Sequence, residues 1–432
     1  MAEILPLRAW RYNEALHNSI DELTSPLFDV VSSKQREALY RNEFNSIHLS
    51  VPRGDAPAEE AAQLLQSWKD KGVLQQDPLP GIYVYYQYFR LTGSNKAYCR
   101  KGFICNIKAY DWHERVLLRH ENTIPDAVND RIALLDKTEL NTSPTHGLYT
   151  DPEFTLESYM DESIKTPIYE TEDYQGVRDV LAVIHDHEVI RLFVETLRDK
   201  QILLADGHHR YEGSLEYRKK MMALNPEHTG FEPYNYHLMY LTNSEHDDLR
   251  ILPTHRLLEQ VDMSDEELLE KLRAFFVVTP KEDAYELNEV IVGKPWAFGL
   301  YLSGNAYKLR LKPEMHAEIA WEVPQEVKEL DLTVMHYFVF EKVLGIDRET
   351  QRNYSGLSYV RNFTECVSKV DAGKARLALI TNDVSMEQVK RVCNSGAVMP
   401  QKSTFFYPKV ICGFLFGSIK GNEFTTAPLA CL

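Results

Sequence analysis

An apolar run, Ile202-Leu203-Leu204-Ala205, ends in Asp206-Gly207 and passes without a spacer into His208-His209-Arg210-Tyr211, the head of a helix-forming segment that reaches Leu224. A strand followed this closely by a helix requires a tight turn, and Gly207 allows the backbone a close approach there. The first amides of such a helix have no partners within it, and together with the positive end of the helix dipole they form a receptor for anions. Arg210 carries a planar fork suited to two phosphate oxygens. His208 and His209 are able to donate protons, stabilise developing charge or bind a metal. Asp206 is suited to capping the helix, holding a histidine tautomer or ligating a cation. The bland alternative is a capped helix start with two surface histidines. Four polar, reactive side chains at one tight turn favour function.

The 432 residues suggest two domains, and 44% apolar with 26% charged residues is the balance of a globular chain. Lys plus Arg number 48 against 64 Asp plus Glu, a net charge of −16. That sign disfavours nucleic acid as a partner and leaves room for a small anionic substrate in a local cationic pocket. The first residues lack the basic and apolar regions of a secretory signal, and no apolar run is long enough to span a bilayer. A cytoplasmic protein with no membrane partner is therefore expected. Six cysteines, at 99, 105, 366, 393, 412 and 431, are scattered without a CxxC pair and are expected to be buried free thiols.

The patterning predicts helices over 58–71, 127–137, 188–199, 211–224, 265–275 and 386–393, and a hairpin from 82–90 and 103–110. Further strands are expected over 201–205, 236–242, 249–252 and 376–381, with a second hairpin from 296–302 and 307–311. A helix is predicted from Asp331 through Val343, stopped by Gly345. Mixed hairpins and few regular βαβ units indicate an α+β or mixed α/β fold in two domains, divided as 1–255 and 256–432.

Three other constellations extend the candidate site. His120-Glu121-Asn122-Thr123 places a carboxylate beside a histidine, either a general base or Mg²⁺ ligand, or a helix-entry loop capped by Asn122 or Thr123. Pro253-Thr254-His255-Arg256 offers a donor and a cation, or else a structural loop with a surface ion pair. Gln401-Lys402-Ser403-Thr404 sets a point charge beside two hydroxyls, a phosphate cradle without P-loop glycines, or else a polar turn. His185-Asp186-His187 is expected to cap the following helix; no HExxH or HxxxH pair marks a zinc site.

The stretch Ala205-Asp206-Gly207-His208-His209-Arg210-Tyr211 resembles the signature of the bacterial and archaeal family called domain of unknown function 1015. The resemblance continues through Tyr83-Val84-Tyr85-Tyr86-Gln87, His120-Glu121-Asn122-Thr123, Asp130-Arg131, Pro253-Thr254-His255-Arg256, Leu330-Asp331 and the run Met399 to Lys409. One departure is Phe28, where the family tends to carry tyrosine; the hydroxyl is gone, while Asp29 stays as a possible site residue. The turn is also similar, over a handful of residues, to the nucleotide-phosphate motif of the ParB/sulfiredoxin superfamily, which includes free serine kinases. That likeness implies a ParB/sulfiredoxin-like phosphate-binding core in the first half, with Gly207, His208, His209 and Arg210 embracing nucleotide phosphates.

The resulting expectation is a nucleotide-dependent, kinase-like phosphotransferase using ATP or ADP with Mg²⁺ on a small, serine-like hydroxyl substrate. Asp206 or Glu121 would take the hydroxyl proton, and His208 or His209 would stabilise the transferring group. Gly207, Arg210, His120, His255, Arg256, Lys402, Ser403 and Thr404 would hold phosphate or substrate. Two rivals stand beside it: a metal-dependent hydrolase built on His208, His209, His120 and Glu121, and a non-catalytic nucleotide-responsive binding module.

Overall fold

The aromatic run Tyr83-Val84-Tyr85-Tyr86 is stable as a strand only where both of its faces are covered. In the computed structural model, which describes residues 2–28, 30–173 and 175–424, both are covered. Ile82, Val84 and Tyr86 join a core with Phe103, Cys105 and Phe193, whereas Tyr83 and Tyr85 point into a second core with Ile104, Tyr240 and Phe414. This is the two-residue period of a strand expressed in large side chains.

The chain forms two compact units. The first comprises Met1–Arg119, Thr123–Leu249 and Pro408–Leu432, and the second His120–Asn122 and Arg250–Tyr407. The first is organised by a mixed nine-stranded sheet in the order Leu117–Leu118, Ile202–Asp206, Thr145–Tyr149, Tyr236–Asn243, Ala97–Lys108, Ile82–Arg90, Arg178–Ile184 and Tyr169–Glu172. Ile4–Leu5 also pairs with Ala97–Lys108. Two of the junctions are parallel, Ile202–Asp206 with Leu117–Leu118 and Tyr236–Asn243 with Thr145–Tyr149. The fold is mixed α/β.

The hairpin predicted from sequence is present, but its second strand begins at Ala97, well before Phe103. Arg100 and Gly102 lie in that early part, and a buried arginine conceals the strand from a hydropathy reading. The strand Thr145–Tyr149 was equally hidden, because Pro144 precedes it and His146 and Gly147 break the strand pattern. Gly147 is needed there: a Cβ would lie 2.6 Å from Met239 Sδ and 2.7 Å from Ile202 Cγ2.

Asp186 caps the helix His187–Arg198, its Oδ1 accepting from the amides of Glu188 (2.9 Å) and Val189 (3.1 Å). The capping role read from sequence is what the geometry shows. Asp186→Ala is expected to lower stability by about 1 kcal/mol in chemical denaturation, the usual worth of such a cap.

The second unit holds a wholly antiparallel six-stranded sheet in the order Phe276–Lys281, Asn305–Leu311, Ala297–Leu302, Leu377–Ile380, His255–Leu258 and Leu357–Val360. Its faces are filled by Phe298, Leu300 and Leu309 on one side and by Ala297, Tyr301 and Ile380 on the other. The helix expected from Asp331 to Val343 is α-helical only over Asp331–Val334 and then widens to a π-helix over Met335–Val343. Its register shift is invisible to hydropathy, since the segment is apolar nearly all round.

The thiols of Cys105, Cys366, Cys393 and Cys412 are buried, and that of Cys99 is half-buried. Cys431 and Asp29 lie outside the described residues. Among those residues no helix is long and apolar enough to cross a membrane.

Candidate functional site

Strand Ile202–Asp206 ends at Asp206, and helix His208–Leu224 starts two residues later. The link, Gly207, has φ of 89° and packs so closely that a Cβ would lie 2.6 Å from Thr145 Cγ2. Both facts demand glycine. Asp206 is opposite His146 across the sheet, and His146 is in turn opposite Tyr240.

The carboxylate of Asp206 is buried between two cations. Lys409 Nζ donates to Oδ1, and Arg210 Nη2 donates to Oδ2 at 3.1 Å. Although burial opposes ionisation, Lys409 and then Arg210 outweigh it and hold this carboxyl well below the usual carboxylate range. The other edge of the Arg210 guanidinium donates from Nη1 to Ser143 Oγ (2.9 Å) and to the Pro144 carbonyl (2.6 Å). Its buried Nε has no hydrogen-bond partner.

A second buried guanidinium belongs to the same unit. Arg100 Nη2 donates to Gln87 Oε1, its Nε and Nη1 have no hydrogen-bond partner, and it lies 5.5 Å from the centre of the Tyr240 ring. Gln87 Nε2 donates to Asp179 Oδ1 (2.8 Å) and to the Lys409 carbonyl (3.0 Å). Burial pushes the Asp179 carboxyl up to about 7, against the hydrogen bonds from Tyr85 and Gln87. His146 feels Arg100, Asp206 and Lys409 together; burial first, and then Arg100, keep it neutral, with its Nε2 2.8 Å from Thr242 Oγ1. Arg210 and Lys409 thus face the firmly ionised Asp206, and Arg100 acts on Asp179, whose carboxyl burial pushes up. Positive charge is in excess inside the protein, a costly arrangement without an anion.

Several expectations need correction. Arg210 is not a free phosphate fork, because its nitrogens are turned onto Asp206 and the 143–144 segment. Asp206 is a poor proton acceptor, because two cations hold it ionised. His209 Nε2 accepts from the Ile124 amide (3.0 Å), at the head of helix Pro125–Thr138, and so serves packing between helices. His208 is buried in the first turn of its helix. Arg100 and Lys409 were missed: the first hides inside a strand, and the second closes a quoted motif without drawing attention to its charge.

The remaining predicted residues lie in the second unit. His120 Nε2 is 2.7 Å from Thr404 Oγ1, and Glu121 Oε1 accepts from the Lys402 amide at 3.3 Å. The sequence-distant motifs 120–122 and 401–404 are therefore one cluster. Ser403 Oγ donates to the Pro400 carbonyl, while Lys402 is exposed in a left-handed conformation, φ 54°. His255 and Arg256 are on a buried strand, not a surface loop. Arg256 donates to the carbonyls of Thr254, Gln401 (3.3 Å) and Lys402 (3.4 Å), so it braces the 401–402 turn, and the Glu121 carboxylate acts on it electrostatically.

Each oxygen of Asp206 accepts from a cation, which leaves the carboxylate little net charge for Mg²⁺. Among the described residues no three His, Cys, Asp or Glu side chains gather as a metal-ligand group, and the hydrolase reading finds no support in the donor set.

His237 shares this interior, between Ser214 Oγ (2.7 Å) and Thr145 Oγ1 (2.9 Å), and burial lowers its pKa from 6.5 to about 3. A histidine whose folded pKa is depressed contributes stability above the unfolded value, and that contribution is lost as pH falls. Unfolding free energy is expected to decline from pH 6.5 downward, and His237→Gln to flatten that slope in denaturation at several pH values.

A mixed α/β protein with a buried, cation-rich strand-to-helix turn is the class defined so far. The chain belongs to the family described as "Protein of unknown function (DUF1015)", whose model matches residues 4–333. No curated protein matches it significantly. Among solved structures it is similar to a free serine kinase variant in complex with AMP, at 12% identity and TM-score 0.40, covering 74% of this chain and 93% of that one. A conserved hypothetical protein from Pyrococcus furiosus follows at 13% and 0.34, covering 70% and 90%. SbnI from Staphylococcus aureus matches at 11% and 0.35, covering 73% and 87%.

Proposed function

We propose that the first unit binds the phosphate groups of a nucleotide at the 206–210 turn and that the protein is a phosphotransferase acting on a small hydroxyl substrate. One observation carries the reading: the positive charge of buried Arg210 and half-buried Lys409 at a helix N-terminus, with the buried guanidinium of Arg100 in the same unit. Phosphoryl transfer needs chiefly positioning and charge neutralisation, and these residues supply both. Asp206 orients Lys409 and Arg210 as an ion-paired anchor. Lys409 and the unsatisfied N–H groups of Arg100 act on the anion. Asp179, whose carboxyl burial pushes up to about 7 and whose Oδ1 accepts from Gln87, would serve as the base.

The test is thermal denaturation with ATP, ADP, CTP or inorganic phosphate, followed by phosphorus NMR of mixtures with L-serine. A ligand that binds only the folded state raises the midpoint as its concentration rises. The expected result is stabilisation by a nucleotide and appearance of a phosphate ester. Binding without turnover would leave the nucleotide-responsive module, and no stabilisation by any of the four would remove the proposal.

A further inference from the structure

The second unit contains a cleft of about 570 Å³, including its open mouth, whose wall includes Trp321, His336, Arg348, Gln351, Arg352 and Tyr359. None of its lining residues is acidic. Arg348 lies 4.9 Å from the centre of the Trp321 ring, and the indole N–H is held by Glu341 at 2.7 Å. Glu341 is the carboxylate that acts on Arg348, while Arg352 opposes it with like charge. Asp347 accepts from the amides of Glu349 (2.9 Å) and Thr350 (2.8 Å), which fixes the segment carrying both arginines.

His336 is the informative residue. Gln351 Nε2 donates to the carbonyls of His336 (3.1 Å) and Ile346 (2.7 Å), so its Oε1 is turned to accept from His336 Nδ1–H at 2.8 Å. The ring is neutral, because burial and then Arg256 push its pKa down to about 3. Nε2 is therefore a lone-pair acceptor, and it is buried without a hydrogen-bond partner. Such an atom costs free energy unless something donates to it. It also sits on the π-helix Met335–Val343, a form concentrated at functional sites.

We infer that this cleft binds a small hydroxy acid, its carboxylate against Arg348 and Arg352 and its hydroxyl donating to His336 Nε2. Two arginines outnumber Glu341, whose Oε2 is held by the Trp321 indole, and select an anion, and the lone acceptor selects an O–H group. The inference stands apart from the phosphate reading of the first unit.

The experiment is calorimetric titration of the full chain with glycerate and with propionate, which has the carboxylate but no hydroxyl. Glycerate is expected to bind at least about tenfold more tightly, the effect of one satisfied buried hydrogen bond. Arg352→Ala, at an exposed position, is expected to weaken both acids by about tenfold or more, and His336→Phe to erase the difference between them. Should His336→Phe not fold, the nitrogen-15 shift of Nε2 in the native protein decides: movement on adding glycerate supports the site, and constancy overturns it. Absence of glycerate binding, equal affinity for propionate, or indifference to Arg352→Ala would each overturn it too.

Discussion

Arg210→Ala is expected to destabilise the first unit by about 3 kcal/mol, the lower end of what removing one partner from a buried ion pair costs. The lower end applies because Asp206 keeps Lys409. Ser143 and Pro144 also lose the donor that holds their segment. Arg210→Lys should recover less than half of the loss, since an ammonium cannot bond the carboxylate and the Pro144 carbonyl in one plane. In the double variant Arg210→Ala/Asp206→Asn the Arg210–Asp206 pair is lost once rather than twice, although Lys409 is left without its carboxylate, so the double variant should be more stable than the sum of the singles. Strict additivity in a denaturant cycle would show that the pair is not coupled.

Lys409→Met is expected to lower nucleotide affinity by about tenfold to a hundredfold, the worth of a hydrogen bond to a charged group, with apolar packing retained. The variant carries a second signature. Asp206, whose folded pKa is depressed, contributes stability above the unfolded value near 3.8 that is lost as pH falls. With Lys409 gone this contribution shrinks, so native and variant stabilities should differ most near neutrality and converge in acid. A loss of affinity without that convergence would place Lys409 away from Asp206 in solution.

The turn at 206–210 was legible because its conformation is written locally: an apolar strand, a glycine at positive φ and a helix with no spacer. The work each side chain does was not. Arg210 reads as a phosphate fork until the 143–144 carbonyls are placed against it, and nothing near residue 210 in sequence announces them. Lys409 and Arg100 were overlooked for the same reason, since one pairs with a residue some 200 positions earlier and the other looks like a polar break in a hairpin. His255 and Arg256 read either as a donor and cation for an anion or as a structural loop; pairing with Leu377–Ile380 and Leu357–Val360 places them inside a sheet instead. The helix cap at Asp186 was read correctly because capping depends on neighbours two and three residues away.

The segment from Pro408 onward belongs to the first unit although the second unit's sequence precedes it. Val410, Cys412, Phe414 and Phe416 complete a core that also contains Leu7, Tyr83 and Tyr240, and Trp10 and Ser25 bridge to Phe416 and Cys412. During synthesis, the amino-terminal half must therefore wait for the segment that carries Val410 to Phe416 before it can close. A fragment ending at residue 249 would lack a wall of its interior and the ammonium that meets Asp206, and should emerge as an aggregation-prone, loosely packed species.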